Sequence, residues 1–258
     1  MRGKDKGYPG GKGGAGVYQT IINHMPPHTT YIEAFAGSGA VLRAKKPAKV
    51  NIAIDCNAPV LANLVHTYIA DRDARQQATI VEALRAFHVA SVDDPDGHEW
   101  HFINGDCQTW LAQQHWTGNE LVYADPPYLR SVRASGRLFY EYELAEEHEH
   151  AALLLQLSKL PCMVMISGYW SELYADMLAS WTTVTYTTVT LGGTVAEEWL
   201  WMNYDLPVAL HDYTYIGANY RERERIKRKV SRWKARLADM PLLERQALMI
   251  ALNNTKLD

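Results

Sequence analysis

The sequence predicts an α/β fold: a mainly parallel, doubly wound sheet with a terminal antiparallel hairpin, followed by a basic helical segment. Three observations lead there. From residue 30 onward, short apolar runs alternate with longer helical patterns. Several of the short runs stop at an acidic residue or a glycine turn, as strands do where a parallel sheet presents its carboxyl ends to a ligand. Late in the chain, two runs rich in β-branched and aromatic residues, WTTVTYTTVTL and EEWLWMNY, flank LGGTVA and read as a hairpin.

Taken in order, TTYIEAF (29–35) is a short strand that runs into the turn AGSGA (36–40) and a helix start. VNIAID (50–55) is a second buried strand, stopping at Asp55. Residues 62–90 read as helical, and SVDDPDGHEW (91–100) as a polar loop. HFING (101–105) and ELVYA (120–124) are further strands, each followed by Asp. AEEHEHAALLLQLSKL (145–160) reads as a helix and PCMVMISG (161–168) as a buried strand. Beyond the hairpin, Ile226, Val230, Trp233, Leu237 and Met240 recur at helical spacing, beside a stripe of Arg221, Arg225, Arg228, Arg232 and Arg236. These patterns divide the chain into residues 1–210 and a basic extension, 211–258.

With 258 residues, 47% of them hydrophobic, the chain can build a sizeable core. No apolar run reaches the roughly 18 residues of a membrane span, so no membrane partner is expected, and the N-terminus lacks the apolar stretch of a secretory signal. Cys56, Cys107 and Cys162 are widely spaced and odd in number, which suits a reducing cytoplasm and makes no metal pattern. The net charge of −3 hides an asymmetry. Residues 221–236 hold nine Arg or Lys against two Glu, a local +7, which leaves −10 on the remainder. A basic block on an acidic body points to a polyanionic partner; a solvated helix face is the alternative.

The opening stretch YPGGKGGAGVYQTI (8–21) looks like a phosphate-cradling loop. Such a loop needs Gly-x-x-x-x-Gly-Lys-Ser/Thr between a buried strand and a helix. Here Lys12 is followed by Gly13, and seven residues before Tyr8 leave no room for the strand. A nucleotide hydrolase is therefore disfavoured.

Two sites at strand ends carry the chemistry. EAFAGSGAV (33–41) holds Gly-x-Gly without the third glycine of a dinucleotide fingerprint, and Asp55 ends the next strand. A carboxylate there can accept both hydroxyls of a ribose. In YADPPYLRS (123–131), Pro126 and Pro127 remove two N–H donors, leaving backbone carbonyls and the Asp125 carboxylate as a cluster of acceptors. Pure acceptors suit an amino group on a planar ring, and Tyr128 offers a face on which that ring can stack. Holding the two hydrogens favours a pyramidal nitrogen with its lone pair free to attack.

These motifs, in the order GGK (10–12), EAFAGSGAV, Asp55, NGDC (104–107), DPPY (125–128) and EEWLWMNY, resemble the Dam-type adenine-specific DNA methyltransferases over residues 8 to about 205. The resemblance implies a Rossmann-like methyltransferase fold and S-adenosylmethionine as cofactor. It implies transfer of a methyl group to the exocyclic amino group of an adenine flipped out of double-stranded DNA. By that match, Tyr8 lies along the cofactor, and Lys12 sits near its carboxylate or near the catalytic Asp. Phe35, Ala36, Gly37, Ser38 and Gly39 line the cofactor, Asp55 takes the ribose, and Asp106 with Cys107 borders the base. Asp125, Pro126, Pro127 and Tyr128 hold the target, with the Pro126 carbonyl as second acceptor. No metal is implied, and a cognate restriction endonuclease is a partner that the resemblance allows.

The sequence departs from the family pattern where larger members carry a DNA-reading insertion. Only residues 57–101 fill that interval, read as a shortened helical insertion with few basic residues. The basic stretch with Arg221, Arg225, Arg228 and Arg232 looks like a substitute contact, with Arg130, Arg133 and Arg137 as a second set on a loop able to close over the flipped base. The histidines of HEWH (98–101) and EEHEH (146–150) read as a polar loop and an exposed helix start. Cytosine amino groups, RNA adenine and a glutamine side-chain amide remain alternative targets. A non-catalytic DNA-binding protein of the same fold is the alternative from another class.

Overall fold

The computed structural model of the chain describes residues 11–68, 82–84, 86, 88–132, 144, 146–189 and 193–254. It separates into two units, residues 1–212 and 213–258.

In the first unit the described residues form an eight-stranded sheet. The strands are β1 (Thr30–Glu33), β2 (Val50–Asp55), β3 (Val89–Asp93), β4 (Glu99–Asn104), β5 (Glu120–Ala124), β6 (Met163–Gly168), β7 (Thr182–Val189) and β8 (Val195–Met202). Their order is β3-β4-β2-β1-β5-β6-β8-β7. β4, β2, β1, β5 and β6 run parallel, whereas β8 runs antiparallel to both β6 and β7. This is the Rossmann-like arrangement with its terminal hairpin. Helices α1 (Val17–Ile22), α2 (Ala40–Ala44), α3 (Ala58–Tyr68), α4 (Cys107–Ala112), α5 (Glu147–Ser158) and α6 (Glu172–Met177) complete the unit. The central strands are buried along their length, including all five residues of β5. Edge strand β7 alternates between exposed and covered positions.

Two expectations need correction. Residues 89–93 form β3, which pairs antiparallel with β4, so the polar loop shrinks to the turn 94–98. Asp94 holds that turn: its carboxylate accepts the N–H groups of Asp96 (3.0 Å) and His98 (2.9 Å) and the Trp100 indole (3.1 Å). Within the interval 57–101, eight described residues are therefore strand, beside the eleven of α3 (Ala58–Tyr68). The helix predicted over 62–90 is present as α3 and at residues 82–84 and 86; its middle lies outside the described residues, and His88 has left it at φ 59°. His150 is the second correction. It is buried on α5, with Nδ1 2.8 Å from the Tyr174 hydroxyl and Nε2 3.0 Å from the Leu144 carbonyl.

β1 ends on a buried carboxyl group. Glu33 accepts the Tyr31 hydroxyl at 2.9 Å, and the Lys45 ammonium lies 4.2 Å from the Tyr31 ring centroid. Burial raises the Glu33 pKa to about 8 and lowers that of Lys45 to about 7. Between its ordinary value of 4.5 and 8, Glu33 binds a proton in the folded chain that the unfolded chain releases, so its contribution to stability falls as pH rises through that window. Glu33→Gln cannot ionise. It should melt about 5 °C above the parent at pH 9 and close to it at pH 5, as read by scanning calorimetry.

The second unit contains α7 (Tyr220–Ala238) and α8 (Leu242–Asn254). Asn219 caps α7 by accepting the Glu222 N–H at 3.0 Å. Arg221, Arg225, Arg228 and Arg232 are exposed, and their spacing places them on one face of the helix. Among the described residues, no helix is long and apolar enough to cross a membrane.

Candidate active site

β1 lies between β2 and β5, where the connections turn to opposite sides and a crevice opens at the strands' carboxyl ends. The turn after β1 is pinned to both neighbours: Ala34 N–H bonds the Tyr123 carbonyl and Ala36 N–H the Ile54 carbonyl, each at 2.9 Å. A cleft of about 700 Å³ sits there, lined by Phe35, Ala36, Gly37 and Ser38 on one side and by Asp125 to Tyr128 on another.

Asp55 stands at the end of β2 with both oxygens oriented. Oδ2 accepts the Gly37 N–H and Oδ1 the Asn57 N–H, each at 2.8 Å. Burial raises its pKa, and the two amides oppose that shift. Each oxygen keeps lone-pair capacity for a ligand hydroxyl. Gly39 is not part of the lining. It occupies φ +62° at the start of α2, and a Cβ there would collide with the Leu64 side chain, so its place is set by packing of the turn on α3.

Asp106 and Cys107 line the cleft from the end of β4. The Asp106 carboxylate also caps α4, its Oδ2 accepting the Thr109 N–H (2.8 Å) and hydroxyl (2.6 Å). Cys107 is buried, and that burial pushes its thiol pKa far up, so it stays a neutral, compact wall. A Cβ at Gly105 would meet nothing within 4 Å, which leaves the cleft open between β4 and α4.

The proline motif follows β5 directly, and here the acceptor cluster of the sequence reading is corrected. A donor reaches into it. Lys12 is 4% exposed, and its Nζ lies 2.8 Å from Asp125 Oδ1, 2.7 Å from the Tyr128 hydroxyl and 3.1 Å from Glu198 Oε2. Among the described residues, three oxygens thus meet the ammonium. Burial pulls the lysine's pKa down, but the anionic surroundings outweigh it and hold the value well above normal. An ammonium engaged in this way is not a phosphate ligand, so the structure, like the spacing, disfavours a phosphate loop.

Asp125 Oδ1 also accepts the Ser167 hydroxyl at 2.9 Å, and Tyr123 in turn donates to Ser167 at 2.8 Å. Among the described residues, no hydrogen bond reaches Asp125 Oδ2. Burial raises the Asp125 pKa, with Lys12 opposing.

Three residues of this site were not singled out from the sequence. Glu198, on β8, is 3% exposed and accepts the hydroxyls of Tyr128 (2.9 Å) and Tyr186 (2.7 Å). Tyr186, on β7, lies opposite Glu198 in the hairpin register. Tyr169, just past β6, lies against the Tyr128 ring, with centroids 4.3 Å apart and planes at 44°. A base stacked on Tyr128 must take its other face or move Tyr169 aside. The available signal was a pair of carboxylates in a strand that is otherwise apolar, of which Glu198 is the one facing a tyrosine across the hairpin.

Arg130 is exposed in the short turn Arg130–Val132. Tyr8, Arg133 and Arg137 lie outside the described residues. In the turn between β3 and β4, His98 bonds Asp94 at 2.9 Å, and Asp94, Asp96 and His98 bring their side-chain donor atoms within 4.8 Å of one another.

Residues 8–97 match the family of D12 class N6 adenine-specific DNA methyltransferases, the kind of enzyme that the motifs resemble. The matched family is one of methyltransferases, and the match covers 90 of the 258 residues. No curated protein sequence matches the chain. Among solved structures, the yhhF protein of Escherichia coli aligns at 16% identity over 73% of this chain and 86% of that one, with a TM-score of 0.39. An rRNA methylase from Streptococcus thermophilus aligns at 11% identity over 72% and 91%, with a TM-score of 0.41. Magnesium protoporphyrin IX methyltransferase from Synechocystis, solved with bound S-adenosylmethionine, aligns at 12% identity over 72% and 75%, with a TM-score of 0.40.

Proposed function

We propose that this chain methylates the exocyclic amino group of adenine in double-stranded DNA, using S-adenosylmethionine. The observation that carries the reading is the placement of Asp125. It follows β5 directly and lines the same cleft as Gly37 and Asp55, with Oδ2 left without a hydrogen-bond partner among the described residues. The family match over residues 8–97, which includes Gly37 and Asp55 but not Asp125, supports it as well.

The residues present fit the cofactor. The cleft has the volume of a small-molecule site. Its floor is a turn whose Gly37 N–H is already satisfied, and Asp55 is oriented to accept a pair of hydroxyls. Gly105 leaves open space beside the buried Cys107, where a flat apolar ring fits. When bound, S-adenosylmethionine supplies a methyl carbon on a cationic sulfur; the N–C bond forms as the C–S bond breaks, and the sulfur leaves as a neutral thioether.

The protein's own task is to present the nitrogen. Asp125 Oδ2 accepts one hydrogen of the amino group, and the carbonyl of Pro126, another residue of the cleft lining, accepts the other. Tyr128 contributes its ring to the base. The nitrogen becomes cationic as it attacks and then sheds one proton, either to the Asp125 carboxylate that already holds it or to water. No strong base is required beforehand, because the leaving group departs without a proton. The three phenols around the site have pKa values pushed up by burial, so they remain neutral donors throughout.

Digestion of DNA incubated with the protein and isotope-labelled cofactor tests the reading, with mass analysis of each nucleoside. Label in N6-methyladenine supports it. Label in cytosine would replace the target base, label incorporated only when RNA or protein is supplied in place of DNA would replace the substrate, and no label with no cofactor binding would leave a DNA-binding protein of this fold.

The DNA contact is assigned to the exposed arginines of α7. Arg225 is 3.5 Å from Glu222, and the Arg228 Nε donates to the Glu224 carbonyl at 3.2 Å, so both side chains are held on the helix surface. Replacing Arg225, Arg228 and Arg232 together with Ala should weaken DNA binding about tenfold or more at 100 mM salt. It should also lower the slope of log K against log salt by about 2 to 3. An unchanged slope in fluorescence anisotropy would make this face an ordinary solvated one.

A further inference from the structure

The catalytic carboxylate shares its lysine with a second carboxylate, and the second is the deeper of the two. Asp125 and Glu198 lie 2.8 and 3.1 Å from the same Nζ, with side-chain exposures of 17% and 5%. A lone Lys12–Asp125 pair would be electrically neutral. It would then offer little to a nitrogen that turns cationic, and little to a cationic cofactor. With Glu198 ionised, the three groups carry a net charge of −1.

We propose that Glu198 acts through Lys12 as a charge-balancing and positioning residue. It draws the ammonium between two carboxylates, so that Asp125 keeps an uncancelled negative charge facing the cleft. The inference rests on the methyltransferase reading above and deepens it. Three features of the site support it. Glu198 accepts both flanking phenols, which fixes its two oxygens, and neither phenol brings a charge. Tyr128, the residue that meets the target, is itself tied to Lys12 and Glu198, so the same carboxylate also orients its ring. Among the described residues no hydrogen bond reaches Asp125 Oδ2, while the lysine is bound at Oδ1, so the attraction to the ammonium and the hold on the amine are divided between two oxygens. In the transfer the N–C bond forms and the C–S bond breaks, so positive charge moves from sulfur to nitrogen; a fixed net anion beside that path stabilises it without reorganising.

The test uses Glu198→Gln, which keeps the shape and hydrogen-bonding capacity of the side chain and removes its charge. Calorimetry on the full chain, without DNA, compares the affinities of S-adenosylmethionine, whose sulfur is cationic, and S-adenosylhomocysteine, whose sulfur is neutral. The preference for the cationic ligand should fall about fivefold in Glu198→Gln. It should return in Lys12→Met/Glu198→Gln, which again carries −1. In the methylation assay, kcat should drop about 100-fold in the single variant with little change in KM for DNA, and the double variant should be faster than the single. A ligand preference unchanged in Glu198→Gln, or a double variant no faster than the single, would overturn the inference, since a merely structural glutamate predicts added damage and no rescue. If the wild-type chain shows the charge-dependent ligand preference but methylates no adenine in DNA, the proposed substrate fails while the role of Glu198 stands.

Discussion

Asp125→Ala abolishes methyl transfer, by about 10³-fold or more in kcat, while S-adenosylmethionine still binds. The size of the effect follows from what the carboxylate does. It is the fixed charge at the nitrogen that becomes cationic, and single electrostatic contacts of this kind are worth about 10²–10³ in rate. Its loss also removes one of the two acceptors that hold the amino group in position. The fold should survive, because Lys12 keeps Glu198 and the Tyr128 hydroxyl as partners. Cofactor affinity should change by only a few-fold, since Asp55 and the turn 35–38 stand on other strands. Transfer of a tritiated methyl group and calorimetric titration separate the two quantities. Methylation retained by Asp125→Ala would end the proposed mechanism. In the wild-type chain, burial holds the Asp125 pKa above the usual aspartate range, and the reaction needs its ionised form. The rate should therefore rise with pH along a limb displaced upward from that range.

Lys12→Met has the largest expected effect on stability. It leaves two partly or deeply buried carboxylates with no cation between them. Removing one member of a buried ion pair costs about 3–5 kcal/mol. For a unit of this size that is about 10 °C in melting temperature. The deficit should shrink on acidification, because Asp125, with its raised pKa, protonates early and ceases to repel its neighbour. Thermal melts followed by circular dichroism at pH 7 and pH 5 check both points. A variant that melts with the parent at pH 7 would mean that the ammonium contributes no net attraction. Adding Glu198→Gln should restore part of the lost stability, since a single carboxylate then remains.

Much of this was legible in the residue order. Alternating apolar runs gave the parallel strands, and the β-branched runs around LGGTVA gave the hairpin. Asp55, the turn 35–38 and Asp125 were readable because ligand sites of such sheets stand at strand carboxyl ends, and these residues follow strands directly. β3 was hidden. VASVD carries one buried side chain, Ala90, and one half-buried, Val92, among exposed ones, so its two-residue period is too faint to separate from the polar run beside it. His150 was misread although His150, Leu153, Leu154 and Leu157 follow the helical spacing of a buried face, because five polar residues crowd the helix start. The cap made by Asp106 was encoded in the spacing to Thr109 but was overshadowed by its nearness to the cleft. Of the partners of Lys12, the resemblance had offered the catalytic Asp as one of two possible neighbours, but no local pattern pointed to the full set. They come from the end of β5 and from β8, and only the completed sheet brings them together.

That long reach has a consequence for synthesis. Lys12 and Tyr128 are 116 positions apart, and Tyr128 and Glu198 a further 70. The ribosome delivers the lysine and the aspartate long before the last strand, so a nascent chain halted before residue 195 can form only the neutral couple. Stalled or clipped translation products would carry the recognisable motifs but lack the second carboxylate until the final hairpin has docked.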